Sequence, residues 1–409
     1  MNTLGTHTKR QEWTLLLTLA GIQFTHILDF MVLMPLGPQL VQTLQISNTQ
    51  FGLLVSAYTF AAGFAGLLAS TYIDRFERKR LLLTLYTLFA IATLGCGLAR
   101  SYEGLIFART MAGFFGGVLT AMSQTIVADV IPFERRGKAM GVVMTAFSVS
   151  AVMGVPLSLL LVAYSTWYTP FLVIAAVSLV LIGLAWFSLP DMQGHLAHSK
   201  AAGFFGPLQE TLSDSNHWKG FLLTFLLVFA SFIIIPYIAL YTQINGGVTQ
   251  RDLPIIYLLG GAATLISAPT IGRLSDKYGK VVVLRWVACM AIFPMILITV
   301  SEHFAYVAIF VLATAFFIFV SGRMIPGMAL LSGVVNPNLR GTFMTLNSSV
   351  QSAAMGLGAL LGGALIGRDA EGLVTNYWMC GAIGVVSNLA AMWLAGKVAM
   401  HNAPTPHST

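Results

Sequence analysis

Long apolar runs alternate along the chain with short polar turns in which most of the charge is concentrated. A run of about 20 apolar residues, wound as a helix, crosses a hydrocarbon core of roughly 30 Å. Such runs fall near 13–36, 50–71, 81–99, 104–127, 139–163, 168–188, 219–243, 253–273, 281–300, 304–333, 342–366 and 375–396. The pattern predicts an all-α membrane protein of twelve transmembrane helices, multi-pass and set in a lipid bilayer.

The polar turns repeat. Ser70 to Lys79 carries Asp74, Arg75, Glu77 and Arg78, and Gly272 to Lys280 carries Asp276, Lys277 and Gly279 in matching order. Arg136-Gly137 is matched by Arg340-Gly341, and Gly154 by Gly358, so the offset is 202 to 204 residues. Duplication of this kind predicts two pseudo-symmetric six-helix bundles, 1–188 and 219–397, with a ligand site between them. The stretch 189–218, the one long polar segment, is read as a cytoplasmic linker. Residues 398–409, with two prolines, are read as a disordered tail.

Composition sharpens this. Apolar residues make up 56% of the 409 and charged residues 9%, far below the quarter or so usual in globular domains. Of the 22 Lys and Arg, 17 fall on one side of the expected membrane and three on the other, with Arg109 and Arg323 inside helices. That bias predicts both termini in the cytoplasm. The net charge of +7 is therefore a topology signal, and no nucleic-acid partner is expected from it. The run after Lys9-Arg10 is too long for a secretory signal and is read as a retained first helix. Cys96, Cys289 and Cys380 lie inside predicted helices, and His195, His198 and His217 lie in the linker without tight ligand spacing. No metal and no cofactor is expected. Hydrolytic chemistry is disfavoured too, because the helices contain no Gly-x-Ser-x-Gly elbow and no paired His-Glu metal motif.

The duplicated turn, Gly-x-x-x-Asp-Arg/Lys-x-Gly-Arg/Lys, resembles the signature of the major facilitator superfamily. The second copy fits it in full, and the first departs at Ser70 and Glu77. Arg109 with Gly113 and Gly117 is similar to that family's fourth-helix motif, and Gly154-Val155-Pro156 to a degraded form of its exporter motif. With Asp29 to Pro38, the chain resembles bacterial drug/proton antiporters near the sugar-efflux or arabinose-efflux permeases. The resemblance implies the major facilitator fold and residence in a bacterial inner membrane.

Asp29 is the one acidic residue well inside a predicted helix, at a cost of about 2.5–3.5 kcal/mol on an insertion scale. It needs a partner, a proton or a watery cavity. Arg109 lies at similar depth in the fourth helix, and in the resembled family the first and fourth helices flank the central cavity, which makes an Asp29–Arg109 contact the expectation. Burial raises a carboxyl's proton affinity and a neighbouring arginine lowers it, so relative movement of the two would couple protons to conformation. A permanent structural ion pair is the alternative. His26, one turn from Asp29, is expected to tune the site.

Asp74, Arg75, Arg78, Asp276, Lys277 and Lys280 are read as a cytoplasmic latch that forms in one state and breaks in another. Arg323, beside Pro326 and Gly327, is read as contacting cargo or a gate, or as reaching toward the cytoplasmic surface. Phe30, Met34, Tyr58, Tyr237 and Tyr241 are candidates for an adaptable pocket. Gly113, Gly117, Gly154, Pro156, Gly358 and Gly362 are read as packing or hinge positions. The function expected is proton-coupled export of a small organic molecule, a drug, sugar or metabolite, by a monomer using alternating access. Import, translocation of a lipid-like amphiphile, and sensing without flux stay open.

Overall fold

The computed structural model describes residues 9–73, 76–190, 192, 205–335 and 339–400. It is nearly all helix, in two compact units: one drawn from 1–202 and 249–258, the other from 203–248 and 259–409.

The first unit contains α1 (Lys9–Val32), the short α2 (Gly37–Leu44), α3 (Asn48–Tyr72), α4 (Arg78–Leu98), α5 (Tyr102–Val130), α6 (Phe133–Val149), α7 (Val155–Ala163) and α8 (Thr169–Ser188). Here α3 and α4 pack on α5, α4 also on α8, and α1 on α6 and α8. A core of Leu19, Ile22, Phe89, Leu119 and Met122 fills the space between them.

The second unit contains α9 (Phe205–Ser213), α10 (Ser215–Phe232), α11 (Ile238–Ile244), α12 (Leu253–Tyr278), α13 (Lys280–Leu297), α14 (Tyr306–Gly322), α15 (Met324–Val334), α16 (Arg340–Leu365) and α17 (Tyr377–Ala395). Residues 249–258, with the start of α12, cluster with the first unit. Here α10 packs on α16 and α17, and α13 on α14, α15 and α17.

Helix starts are written locally. Ser47 and Gln50 form a reciprocal capping box on α3, at 3.1 and 2.8 Å. Ser101 caps α5 and Asp214 caps α10. Two interruptions follow proline. The first span, expected at 13–36, ends as a helix at Val32, because Pro35 has no N–H to continue the ladder, and α2 begins after the turn. Asp29 therefore sits in the last turn of α1. The span expected at 139–163 contains a π-helical turn, Ser150–Gly154, just before Pro156. The Val155 N–H reaches back to the Ser150 carbonyl, and the shifted register accommodates a proline that cannot donate.

Two features depart from an all-α twelve-span chain. A two-residue hairpin pairs Gly367–Arg368 with Val374–Thr375. Among the described residues, eleven helical segments are long and apolar enough to cross a membrane. The expected span 342–366 is a helix of 26 residues, α16, and is not among them. Its first half carries Thr342, Thr345, Asn347, Ser348, Ser349, Gln351 and Ser352.

Candidate functional site

Asp29 from α1 and Arg109 from α5 meet inside the first unit. Arg109 Nη1 donates to Asp29 Oδ2 at 2.9 Å and to the Asp29 carbonyl at 3.1 Å, and both side chains are fully buried. The ring of Tyr58, from α3, lies under the guanidinium with its centroid 4.4 Å from Cζ, and Phe171 of α8 lies at 5.8 Å. Thr93 and Cys96 of α4 adjoin the pair. Satisfaction is incomplete: Asp29 Oδ1, Thr93 Oγ1, Arg109 Nε and Arg109 Nη2 are buried and complete no hydrogen bond. A sealed structural pair gains from having every lone pair and proton matched. Here four of these atoms are unmatched by the protein.

The contacts of His26 are with Tyr58 and Phe89. Its Nδ1 is 3.0 Å from the Tyr58 hydroxyl, its ring stacks on Tyr58 and meets Phe89 edge-on. Phe30 stacks on Tyr58 at 5.3 Å. Tyr58, read from sequence only as a pocket residue, is the hub joining His26 to Arg109. One turn further down α1, the Thr120 hydroxyl of α5 donates to Gln23 Oε1 at 3.0 Å. The hub depends on close backbone approach. A Cβ on Gly113 would stand 2.8 Å from the Tyr58 Cα and carbonyl carbon, and one on Gly117 would stand 2.6 Å from the Ala62 Cα. Gly154 lies instead against the ends of the Leu28 and Phe24 side chains of α1. Met34 is buried in the turn after α1.

At the other end of this unit Arg78 bonds Asp129 at 3.2 Å and the Ile73 carbonyl at 2.7 Å, so Asp129, which the sequence reading passed over, is an acidic partner of it. Glu77, a departure from the motif, caps α4 by accepting from Lys79 N and Arg80 N, and it also accepts from Met192 N at 3.2 Å. Asp74 and Arg75 lie outside the described residues. In the second copy Gly279 adopts φ +95, which a side chain would strain, and Asp276 and Lys277 are exposed at the end of α12. Lys277 lies over the Tyr278 ring, and neither it, Asp276 nor Lys280 forms an ion pair among the described residues.

Arg323, expected at cargo, a gate or the cytoplasmic surface, is fully buried at the junction of α14 and α15. Its guanidinium donates to Asn388 Oδ1, to Ser231 Oγ at 2.8 Å and to the Leu227 carbonyl at 3.0 Å. The cage is neutral, and its members come from α10 and α17. Tyr237 is also fully buried, its hydroxyl donating to the Ala359 carbonyl. Tyr241 packs against Tyr377. In this structure these tyrosines belong to the packing of the second unit, where Gly362 admits the Tyr237 ring and Gly358 admits the α10 backbone. No cluster of three or more His, Cys, Asp or Glu is arranged to hold a metal among the described residues.

The fold occurs in known proteins. A family model described as Major Facilitator Superfamily matches residues 19–359. A bacterial homologue of the human lysosomal transporter Spinster, in an inward-facing and occupied conformation, is 18% identical with a TM-score of 0.77, over 98% of this chain and 100% of that one. The nucleoside transporter NupG is 13% identical with a TM-score of 0.78, over 94% and 99%. A D-xylose-proton symporter is 16% identical with a TM-score of 0.75, over 94% and 98%. At these identities the solved structures share the fold. With two helical units, apolar spans throughout and a family match over most of its length, the chain belongs to the major facilitator superfamily and is a membrane transporter, not an enzyme.

Proposed function

We propose that the chain is a proton-coupled exporter of a small organic molecule, working by alternating access as a monomer in a bacterial inner membrane. In this reading both termini are cytoplasmic, α16 is the eleventh of twelve spans, and 189–218 links bundles 1–188 and 219–397.

The observation that carries the reading is the Asp29–Arg109 pair: two opposite charges, wholly buried, with Asp29 Oδ1 and Arg109 Nη2 left unmatched. A carboxylate in a low-dielectric site is stable as an ion while the guanidinium touches it, and takes a proton when that contact is lost. Movement that separates α1 from α5 by a few ångströms thus exchanges an arginine for a proton, and the gradient drives the cycle. Tyr58 holds the guanidinium from below and His26 holds Tyr58, which gives His26 an indirect hand in the exchange. Arg78, Asp129 and Glu77 serve as the latch at the cytoplasmic end, with Asp74 and Arg75 of the same turn and Asp276, Lys277 and Lys280 of its repeat. Export is favoured by the likeness of Gly154-Val155-Pro156 to the exporter motif; these residues follow a π-turn and pack on the helix that carries Asp29. The alternative direction is import.

The test is Asp29→Asn in proteoliposomes. The expected variant folds and still exchanges cargo down its own gradient, but no longer concentrates it when a pH gradient is imposed. Undiminished pH-driven accumulation by Asp29→Asn would refute the proposal.

A further inference from the structure

At the end of the first unit where α1 begins, a cavity of about 660 Å³ lies between the starts of α1 and α6 and the end of α8. That volume is within the range of small-ligand sites. Arg10, Glu12 and Arg135 supply its charge, and Leu15, Ile131 and Phe187 belong to its apolar lining. Arg135 Nη1 donates to both oxygens of Glu12, at 3.1 and 2.8 Å. Its Nε and Nη2 complete no bond among the described residues, and neither does the guanidinium of Arg10. Two arginines thus share one carboxylate among the described lining residues, which leaves donors for an anion.

The basic lining is not a demand of the fold. At the duplicated offsets of 202 to 204 residues, Arg10 corresponds to Leu212, Ser213 or Asp214, and Arg135 to Pro337, Asn338 or Leu339. Neither arginine has a basic counterpart in the second half.

The surroundings are those of a membrane surface. Phe187 is 88% exposed and Trp186 beside it 63%, at the end of an otherwise apolar helix, and Lys79 lies over the Trp186 ring. Aromatic rings and basic side chains gather where hydrocarbon gives way to headgroups. A soluble anion has no use for the apolar part of the lining, whereas a phospholipid brings a phosphate and acyl chains together.

We infer that this cavity binds an anionic phospholipid, Arg10 and Arg135 taking the phosphate while Ile131 and Phe187 take the start of an acyl chain. The inference rests on the reading that places the start of α1 at the cytoplasmic leaflet, and it needs neither proton coupling nor a particular cargo.

The full chain, purified in detergent and stripped of lipid, is titrated with phosphatidylglycerol, phosphatidylcholine, glycerol 3-phosphate and inorganic phosphate. Binding is read by thermal shift, and the melting of each variant without lipid checks its folding. Phosphatidylglycerol is expected to raise the melting temperature in preference to the other three. Arg10→Gln should weaken its binding about fivefold, the share of one arginine at an anionic surface. Glu12→Gln should tighten it, because the carboxylate that occupies Arg135 and repels the phosphate is gone. A merely structural Glu12–Arg135 pair predicts no such gain, and because Arg135 is half exposed the loss of the pair leaves the variant folded. Arg340→Gln, which removes an exposed arginine of the second unit, leaves binding unchanged. Equal stabilisation by phosphatidylcholine, by glycerol 3-phosphate or by inorganic phosphate overturns the inference, the last two by showing a site for soluble anions. So does a loss on Arg340→Gln as large as on Arg10→Gln, or the absence of a gain on Glu12→Gln. The titration uses no pH gradient, so its failure leaves coupling through Asp29 standing, and failure of that coupling leaves the lipid site standing.

Discussion

Gly113 is where one methyl group reaches the charged pair. An alanine Cβ there would lie 2.8 Å from both the Cα and the carbonyl carbon of Tyr58, against ordinary contacts of 3.4–4 Å. The Tyr58 carbonyl oxygen stands nearer still; the obstacle is backbone, so no rotamer relieves it, and α3 must move off α5 by roughly 1 Å. Overpacking of this kind costs about 1–3 kcal/mol, and a rigid obstacle belongs at the upper end. Alanine returns about 1 kcal/mol of helix propensity, leaving a net loss of about 2 kcal/mol. Gly183, on α8, has nothing within 4 Å of its imagined Cβ, and Gly183→Ala should gain up to about 1 kcal/mol. The assay is thermal unfolding of the two purified variants beside the parent in detergent, with pH-driven accumulation in proteoliposomes as the second readout. Gly113→Ala is expected to melt several degrees below Gly183→Ala and to lose coupling, since Tyr58 shifts away from Arg109 and His26. Equal melting of the two variants would show that α3 and α5 are not in the close contact described.

Two further outcomes follow from single side chains. Asn388→Leu removes an acceptor from the buried Arg323 guanidinium and should destabilise by about 3 kcal/mol; adding Arg323→Met should recover most of that, because the charge that needed the acceptor is gone. A double-mutant cycle by thermal unfolding checks it, and additive losses would refute the cage. Glu77→Ala removes the α4 cap and the acceptor for Met192 N–H, with an expected loss of about 1–2 kcal/mol; unchanged melting would mean that the cap carries no weight.

The helices were legible because bilayer thickness imposes a length on every apolar run, and a run of that length is visible without knowing its neighbours. Their ends were less so. Val32 rather than residue 36 closes α1, and a π-turn interrupts the span before Pro156, since proline shows where a helix is disturbed but not how the chain reroutes its hydrogen bonds. Asp29 and Arg109 stood out in the sequence because an ionic group in an apolar run is rare at any depth.

What stayed hidden was partnership. Nothing near Arg323 in the chain names Asn388 or Ser231, 65 and 92 residues away, and neither residue is unusual where it stands. Tyr58 was one aromatic among many until packing through Gly113 set it beneath a guanidinium. The order of amino acids alone decides which segments are oily enough to cross and which charges they carry with them, because transfer into hydrocarbon is a property of each residue. Which of those charges is caged and which is paired is decided only when helices distant in sequence lie side by side, because pairing depends on distances of a few ångströms.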